Sequence, residues 1–327
     1  MAFVNKYNVA PPEWLPIQDR DLIDRVAMES FYDHQGKQYE CPDFEVKVVH
    51  DVHNYMAIDL FYRIRQSDKK NQKLVLLLPS PENQVYITVV EMLNKFMVSC
   101  RNVHVFFLNE YANEKGQVAP WQSPVSKAGH FVRYFYQRLD AALRMPMEQI
   151  HFFTTENWKE YSELLAAEGG ADVVYTSHTW GGGLGAIDAQ TYPAQTMEEF
   201  LAMGSNYVTP MPETIAQDSL RGMFGCAGDI GNVPPCAVTV GPKDIASAKE
   251  RVDVEFLTSC EGRFVPQAFS TKMSLLGPVS PKNPGSMIRL FPGVCYVSEV
   301  VAKEAVYTQD EDEFALEIEA IRAREQN

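Results

Sequence analysis

Short runs of apolar residues alternate along this chain with longer segments in which apolar residues recur every three or four positions. Residues 73–79 and 103–108 are nearly continuous apolar runs, which are typical of central parallel strands covered on both faces. Residues 51–66 have helical spacing, and Asp51 is a good N-cap. The alternation predicts a doubly wound, mostly parallel Rossmann-like α/β sheet with helices on both faces.

The same pattern predicts the bounds of the individual elements. Strands are expected at residues 44–50, 73–79, 103–108, 150–153, 173–175, 236–241, 252–257 and 294–301. Helices are expected at residues 51–66, 85–98, 129–143, 156–167, 197–203, 213–221 and 245–251, with one more in the tail after residue 310. We interpret residues 1–43 as an N-terminal extension and residues 44–327 as a single α/β domain.

A glycine-rich loop follows the predicted strand at residues 173–175. It contains three consecutive glycines, Gly181, Gly182 and Gly183, and a fourth at Gly185. Open α/β sheets bind ligands at the carboxyl ends of their strands, and glycine lets backbone N–H groups approach a ligand closely. The loop is therefore a candidate ligand site. The alternative is a tight strand-to-helix turn that binds nothing.

Composition and charge narrow the class of partner. The formal net charge is −14 at pH 7, which disfavours binding to nucleic acid or to an anionic membrane. No apolar run is long enough to cross a bilayer, and the amino terminus lacks the pattern of a signal peptide. The six cysteines are scattered, as expected in a reducing compartment, so we predict a soluble, cytoplasmic protein.

Four short motifs follow one another along most of the chain. They are Leu78-Pro79-Ser80, the Phe-Phe-Leu-Asn-Glu-Tyr of residues 106–111, the Leu-Gly-Ala-Ile-Asp of residues 184–188, and the Cys-Ala-Val-Thr-Val-Gly of residues 236–241. In this order and spacing they resemble the glucosamine-6-phosphate deaminase/isomerase family, which is related to the 6-phosphogluconolactonases. The resemblance implies a homo-oligomer that acts on an amino-sugar phosphate without an organic cofactor.

The resemblance also implies catalytic roles, and the chain departs from them. In the family, an Asp before Glu-Tyr moves a proton between C1 and C2 of the opened sugar. That Asp corresponds to Asn109, whose amide has no useful basicity near neutral pH. An Asp-Gly-His segment that assists ring opening corresponds to Gly181, Gly182 and Gly183, which removes both ionisable groups. The Glu five residues after that His corresponds to Asp188.

The phosphate-binding turn implied by the resemblance is altered as well. Ser80 is retained, but Pro81 and Glu82 replace glycines; proline lacks a donor N–H, and a carboxylate repels phosphate. The family's phosphate-binding Arg corresponds to Arg221, offset by one position. Arg263 is the candidate replacement for the family's Lys. Ser80, Asn109, the three consecutive glycines, Arg221 and Arg263 thus form the predicted substrate-binding set.

Three residues are candidates for the catalytic group. Glu110 stands at a strand end, where it could act as a base or could bond loop amides as a structural carboxylate. His178 precedes the glycines, where an imidazole could serve as acid or base or be merely hydrogen-bonded. Asp188 could pair with His178 or cap a following helix.

These residues leave three functions open. The first is a divergent sugar or sugar-phosphate isomerase/deaminase in carbohydrate metabolism, in which Glu110 or His178 moves the proton. The second is a non-catalytic member that binds a sugar or regulates a partner. The third is a lactonase-type hydrolase in which His178 activates water. His50 and His53 have a spacing that could suit a metal, but we expect none, because Asp51 is needed as a helix cap and no other ligand cluster is nearby in sequence. We expect no nucleotide cofactor, because no G-x-G-x-x-G motif follows an early strand.

Overall fold

A computed structural model describes residues 29–34, 36–79, 83–220, 222–224, 227–255 and 266–302, together with a few positions between 19 and 26. Predictions about Ser80, Arg221, Arg263 and the tail helix lie outside the described residues.

The core of the molecule is a seven-stranded sheet in which every pairing is parallel. Its strands are β1 (Phe44–Val49), β2 (Leu74–Leu78), β3 (Val103–Phe107), β5 (Ile150–His151), β6 (Val173–Thr176), β9 (Glu250–Val254) and β10 (Gly293–Ser298). Their order is β1-β10-β9-β6-β2-β3-β5. All five residues of β2 are buried, as expected for a central strand. The predicted fold class is confirmed.

Helices flank this sheet. They are α1 (Val52–Lys70), α2 (Asn83–Phe96), α3 (Lys127–Tyr134), α4 (Tyr161–Ala167), α5 (Met197–Leu201), α6 (Pro212–Ser219), α7 (Pro242–Ser247), α8 (Pro266–Leu276) and α9 (Glu299–Ala302). Asp51 caps α1 as predicted, because its side chain accepts the N–H groups of His53 and Asn54. None of the described helices is long and apolar enough to cross a membrane.

The strand order reverses between β2 and β6. From β1 the chain moves through β2 and β3 to β5 at one edge, and it then returns to β6 on the other side of β2. Right-handed crossovers therefore place the helices that precede β5 on one face of the sheet and the later ones on the other. β2 and β6 thus flank a switch point of the kind at which open α/β sheets bind ligands.

A second, three-stranded antiparallel sheet lies beside the first. It contains β4 (Asn109–Ala112), β8 (Cys236–Thr239) and β7 (Asn206–Val208), in that order. Only Leu108 separates the end of β3 from the start of β4, and in the second sheet Asn109 pairs with Thr239 of β8. The strand predicted at residues 236–241 therefore exists, but it pairs with β4 and β7 in the antiparallel sheet instead of joining the parallel one.

Several predicted helices differ in extent from the observed ones. The helix expected at 129–143 ends at Tyr134 and gives way to short 3-10 turns. The helix expected at 245–251 is α7, and residues 250–254 instead form β9. β9 pairs with both β6 and β10, so tertiary pairing overrides the local helical pattern there. Helix α8 was not predicted.

Candidate functional site

The glycine-rich loop leaves β6 at the switch point and folds back on itself. His178 forms a bridge with Leu184, and Leu184 forms another with Ile187. Gly182 and Gly185 have φ angles of +78° and +65°, in the left-handed region that favours glycine. The glycines thus make a compact hairpin-like loop at the carboxyl edge of the sheet.

Asn109 lies against this loop. A Cβ built on Gly185 would be 2.9 Å from Nδ2 of Asn109, so the close approach requires glycine. The Asn109 side chain is buried, and its Oδ1 has no hydrogen-bond partner among the described residues. Buried polar atoms are nearly always paired in proteins. The unpartnered carbonyl oxygen at the start of β4 is thus a candidate acceptor for a ligand donor.

Asp188 closes the base of the loop. Its Oδ1 accepts the N–H groups of Gln190 and Thr191, both at 2.9 Å, and its Oδ2 accepts the N–H of Met211 at 3.1 Å. Burial raises the pKa of Asp188, although these hydrogen bonds oppose that shift. A turn, and not a helix, follows Asp188, so its side chain does not cap a following helix. The carboxylate holds the loop against the chain that enters α6.

Helix α6 is also attached to the loop from its other end. The backbone N–H of Trp180 donates to Oε1 of Gln217 at 3.0 Å. This helix ends two residues before Arg221, the predicted phosphate ligand. Helix α6 and the glycine loop are therefore held together as one unit.

Glu110 is buried and turns away from the loop toward α3. Its Oε1 accepts the N–H groups of Tyr111 at 2.8 Å and Lys127 at 3.0 Å. Its Oε2 accepts the hydroxyl of Ser126 at 2.6 Å and the N–H of Ala128 at 3.0 Å. Burial raises the pKa of Glu110, while the four hydrogen bonds favour the charged form. All its acceptor positions are engaged at the amino end of α3.

His178 is fully buried between β6 and β9. Its Nδ1 pairs with Oε1 of Glu255 and lies 3.3 Å from Oδ2 of Asp253, while its Nε2 lies 3.3 Å from the carbonyl oxygen of Gly285. Burial by itself would lower the pKa of His178, but the two acidic side chains raise it to about 9. The ring is therefore an imidazolium with both nitrogens bound inside the protein.

The two acidic partners of His178 carry opposite shifts. Burial raises the pKa of Asp253 to about 7. Burial also opposes the charge of Glu255, but His178 and the hydroxyl of Thr271 (2.7 Å) hold the Glu255 pKa at about 2. The pairing of Asp188 with His178 that the sequence left open is thus replaced by a pairing with Glu255.

The structure divides the predicted site residues into two sets. Asn109, the three consecutive glycines and Asp188 meet around the loop, whereas Glu110 and His178 point into separate interior networks. Asp253 and Glu255 were missed by sequence reasoning. The available signal was two acidic residues at alternate positions of an apolar strand, since buried charges need partners.

A cavity of about 420 Å³ opens elsewhere, beside β1. Its walls include Phe31, Tyr39, Lys47 and Tyr55. Because β1 is the edge strand furthest from β3, this cavity is separate from the glycine loop.

No protein-family model matches the sequence. The structure is similar to a monomeric glucosamine-6-phosphate deaminase of the NagB superfamily, with a TM-score of 0.63 and 18% identity, over 79% of this chain and 98% of that one. It is also similar to the 6-phosphogluconolactonase of Thermotoga maritima, with a TM-score of 0.52 and 12% identity, over 78% of this chain and 100% of that one.

The 6-phosphogluconolactonase of Trypanosoma brucei gives a TM-score of 0.53 and 15% identity, over 79% of this chain and 97% of that one. These identities are too low to carry an activity, but the coverage extends over nearly the whole of each neighbour. The resemblance noted in the sequence is confirmed at the level of fold: this chain has the fold shared by the glucosamine-6-phosphate deaminase and the 6-phosphogluconolactonases.

Proposed function

We propose that this chain is a divergent member of the glucosamine-6-phosphate deaminase/isomerase family that binds a sugar or sugar phosphate in carbohydrate metabolism without the family's proton shuttle. Its ligand lies at the carboxyl edge of the sheet, beside Asn109 and the glycine loop. This is the second of the functions that the sequence left open.

The observation that carries the proposal is the buried, unpartnered Oδ1 of Asn109. A carboxamide oxygen accepts a hydrogen bond from a sugar hydroxyl or ammonium group, but it cannot take the proton away near neutral pH. Asn109 stands where the resemblance puts the proton-moving Asp. The position therefore keeps recognition of the ligand and loses the base.

The neighbouring glycines support the same site. Among the described residues, only the Met211 side chain would lie near a Cβ built on Gly181, at 3.8 Å, so one face of this glycine is open to an approaching group. Asp188 fixes the loop through Met211. A backbone cradle of this kind contributes N–H donors and needs no ionisable side chain.

The contacts made by Glu110 and His178, the two other candidate bases, favour a binding function over a catalytic one. Glu110 has its acceptor positions filled by four donors, and His178 has both ring nitrogens bound in the interior. A general base must reach the proton that it abstracts. The isomerase and the lactonase functions would each require one of these groups to leave its network.

The proposal is tested with the purified full-length chain and a panel of ligands: glucosamine 6-phosphate, fructose 6-phosphate, glucosamine, glucose and 6-phosphogluconolactone. Calorimetry and thermal unfolding measure binding, while release of ammonia, of fructose 6-phosphate and of the ring-opened acid measures turnover. We expect at least one sugar to bind and to raise the Tm, with no product formed. Phosphorylated and unphosphorylated members of the panel show whether the ligand carries phosphate.

The matched variants are Asn109→Leu and Asn206→Leu. The first removes the buried acceptor, and we expect it to weaken binding roughly tenfold or more, as for loss of one hydrogen bond to a buried group. The second removes an exposed amide on β7 and leaves binding unchanged. Product release by the wild-type chain would contradict a non-catalytic role, and equal binding by both variants would contradict the role of Asn109.

The cytoplasmic location and the homo-oligomeric state also remain proposals. The similar deaminase is monomeric, so the mass of this chain in solution distinguishes the two arrangements.

A further inference from the structure

Two histidines and a glutamate meet at the edge of the sheet, remote from the glycine loop. His104 is the second residue of β3, His151 ends the short edge strand β5, and Glu168 follows the last residue of α4. All three side chains are half-buried, and their ligand atoms lie within 4.8 Å of one another. The fold alone brings them together, since 64 positions separate the first from the last.

The distances in this cluster match the spacing of metal ligands. Nδ1 of His104 is 3.3 Å from Nε2 of His151 and 3.4 Å from Oε2 of Glu168. Zinc bound tetrahedrally at about 2.0–2.1 Å places neighbouring ligand atoms about 3.3–3.4 Å apart. Two of the three ligand-to-ligand distances therefore have the length expected in such a tetrahedron, and the third is within 4.8 Å.

We propose that His104, His151 and Glu168 form a binding site for a divalent transition metal, with zinc as the favoured ion and water at the fourth position. Two imidazoles and one carboxylate are a ligand set that suits zinc, whereas calcium and magnesium prefer oxygen ligands alone.

Neighbouring groups fix the orientation of one of the two rings and leave the cluster partly exposed. The ring of His151 stacks on Phe106 with centroids 4.1 Å apart and planes 10° from parallel, which fixes its orientation. Partial exposure of the cluster leaves a path for the ion.

Lys73 competes for the same carboxylate oxygen. Its Nζ lies 3.0 Å from Oε2 of Glu168. A metal at the cluster would displace this ammonium group, so Lys73 reduces the affinity of the site. The competition supplies a test that separates a metal site from a simple ion pair.

The role assigned to the metal is structural. His104 precedes Asn109 by five residues, which corresponds to about 16 Å along a strand. β5 has only two residues, and a metal bound by His151 would join it to β3 and to the end of α4. The ion would thus hold the edge of the sheet without touching the sugar site.

The experiment uses the full-length chain stripped with a chelator and then titrated with Zn²⁺ by calorimetry. We expect one Zn²⁺ per chain at micromolar affinity or tighter, a higher Tm with Zn²⁺, and a tetrahedral absorption spectrum when Co²⁺ replaces it. Glu168→Gln and His151→Phe, which keeps a ring on Phe106, should each weaken binding about 100-fold or more, beyond the loss seen for outer-shell groups. His50→Gln, which changes an exposed histidine far from the cluster, should bind as the wild type does.

Lys73→Met keeps the cluster and is the decisive variant. A metal site predicts tighter Zn²⁺ binding by about tenfold, the usual scale for a group next to a metal ligand. Absence of stoichiometric Zn²⁺ binding by the wild type would overturn the proposal. So would binding that is unchanged in Glu168→Gln and His151→Phe, or unchanged in Lys73→Met. Circular dichroism of each variant confirms that the chain is folded before titration.

Discussion

At the scale of single residues, the candidate sugar site depends on one close approach. Gly185 has a left-handed backbone, and its Cα faces the amide of Asn109. The left-handed conformation costs any other residue free energy, and the contact leaves no room for a Cβ. Sequence placed a glycine here, but only the structure showed which side chain it accommodates.

Gly185→Ala should therefore destabilise the chain by two effects. Left-handed strain costs about 1–2 kcal/mol, and crowding against Asn109 adds about 1–3 kcal/mol. Gly116→Ala is the matched control, because Gly116 has a φ of +76° and no atom of the described part of the chain lies within 4 Å of an added Cβ. Urea unfolding of both variants measures the difference. Equal losses would show that the Gly185–Asn109 contact does not constrain the site.

At the scale of elements, Glu110 is the anchor of α3. Its carboxylate gathers the N–H groups of Tyr111, Lys127 and Ala128, which joins β4 to the first turn of the helix. A negative charge at a helix amino terminus is also favoured by the helix dipole. The sequence could not distinguish a catalytic base from a structural carboxylate at Glu110, because a Glu at a strand end fits both roles.

Glu110→Gln distinguishes these two roles. The amide replaces one acceptor oxygen with a donor and leaves buried N–H or O–H groups facing it, so we expect a loss of about 2–4 kcal/mol in the free energy of unfolding. Ser126→Ala, which removes one donor to the same carboxylate and the cap of α3, should cost about 1 kcal/mol. Unfolding in urea measures both. A Glu110→Gln chain of wild-type stability that has lost an enzymatic activity would instead identify Glu110 as a base.

At the scale of the whole molecule, His178 and its partners connect distant parts of the chain. His178 follows β6, Asp253 and Glu255 lie at the end of β9, Thr271 belongs to α8, and Gly285 precedes β10. A buried charge network of this kind is stable only while each member keeps the right protonation state. A change of protonation in this network therefore changes the stability of the whole fold.

The network predicts that stability falls as pH rises above neutrality. The pKa of His178 is about 9 in the folded chain and 6.5 ordinarily, so its contribution is complete below pH 6.5 and is lost as pH rises through 9. Asp253, with a pKa of about 7, adds a similar loss that is complete near neutral pH. Between about pH 7 and 9 we expect the free energy of unfolding to decrease by roughly 2 kcal/mol.

Urea unfolding at a series of pH values measures this slope. His178→Gln removes the titrating group, so the decrease above pH 7 should disappear even though the variant is less stable overall. His50→Gln, which removes an exposed histidine, should keep the wild-type slope. A wild-type stability that is constant or rises over this range would contradict an imidazolium at position 178.

The sequence by itself determined the elements whose pattern is local. The buried run of β2, the helix that Asp51 caps and the glycine loop after β6 follow from burial on two faces, from capping and from the absence of a Cβ. Each depends on neighbours within a few positions. These were enough to predict the fold class and the edge of the sheet where the candidate site lies.

Only the tertiary structure decided which polar groups meet. Glu255 lies 77 positions from His178, and Glu168 lies 64 positions from His104, so no local pattern pairs them. β8 joined a second sheet because β4 offered it a free edge, and Glu110 turned to α3 because that helix presented unpaired N–H groups. Long-range pairing fixed the chemistry of the site, since burial made each polar group take whichever partner the fold brought near.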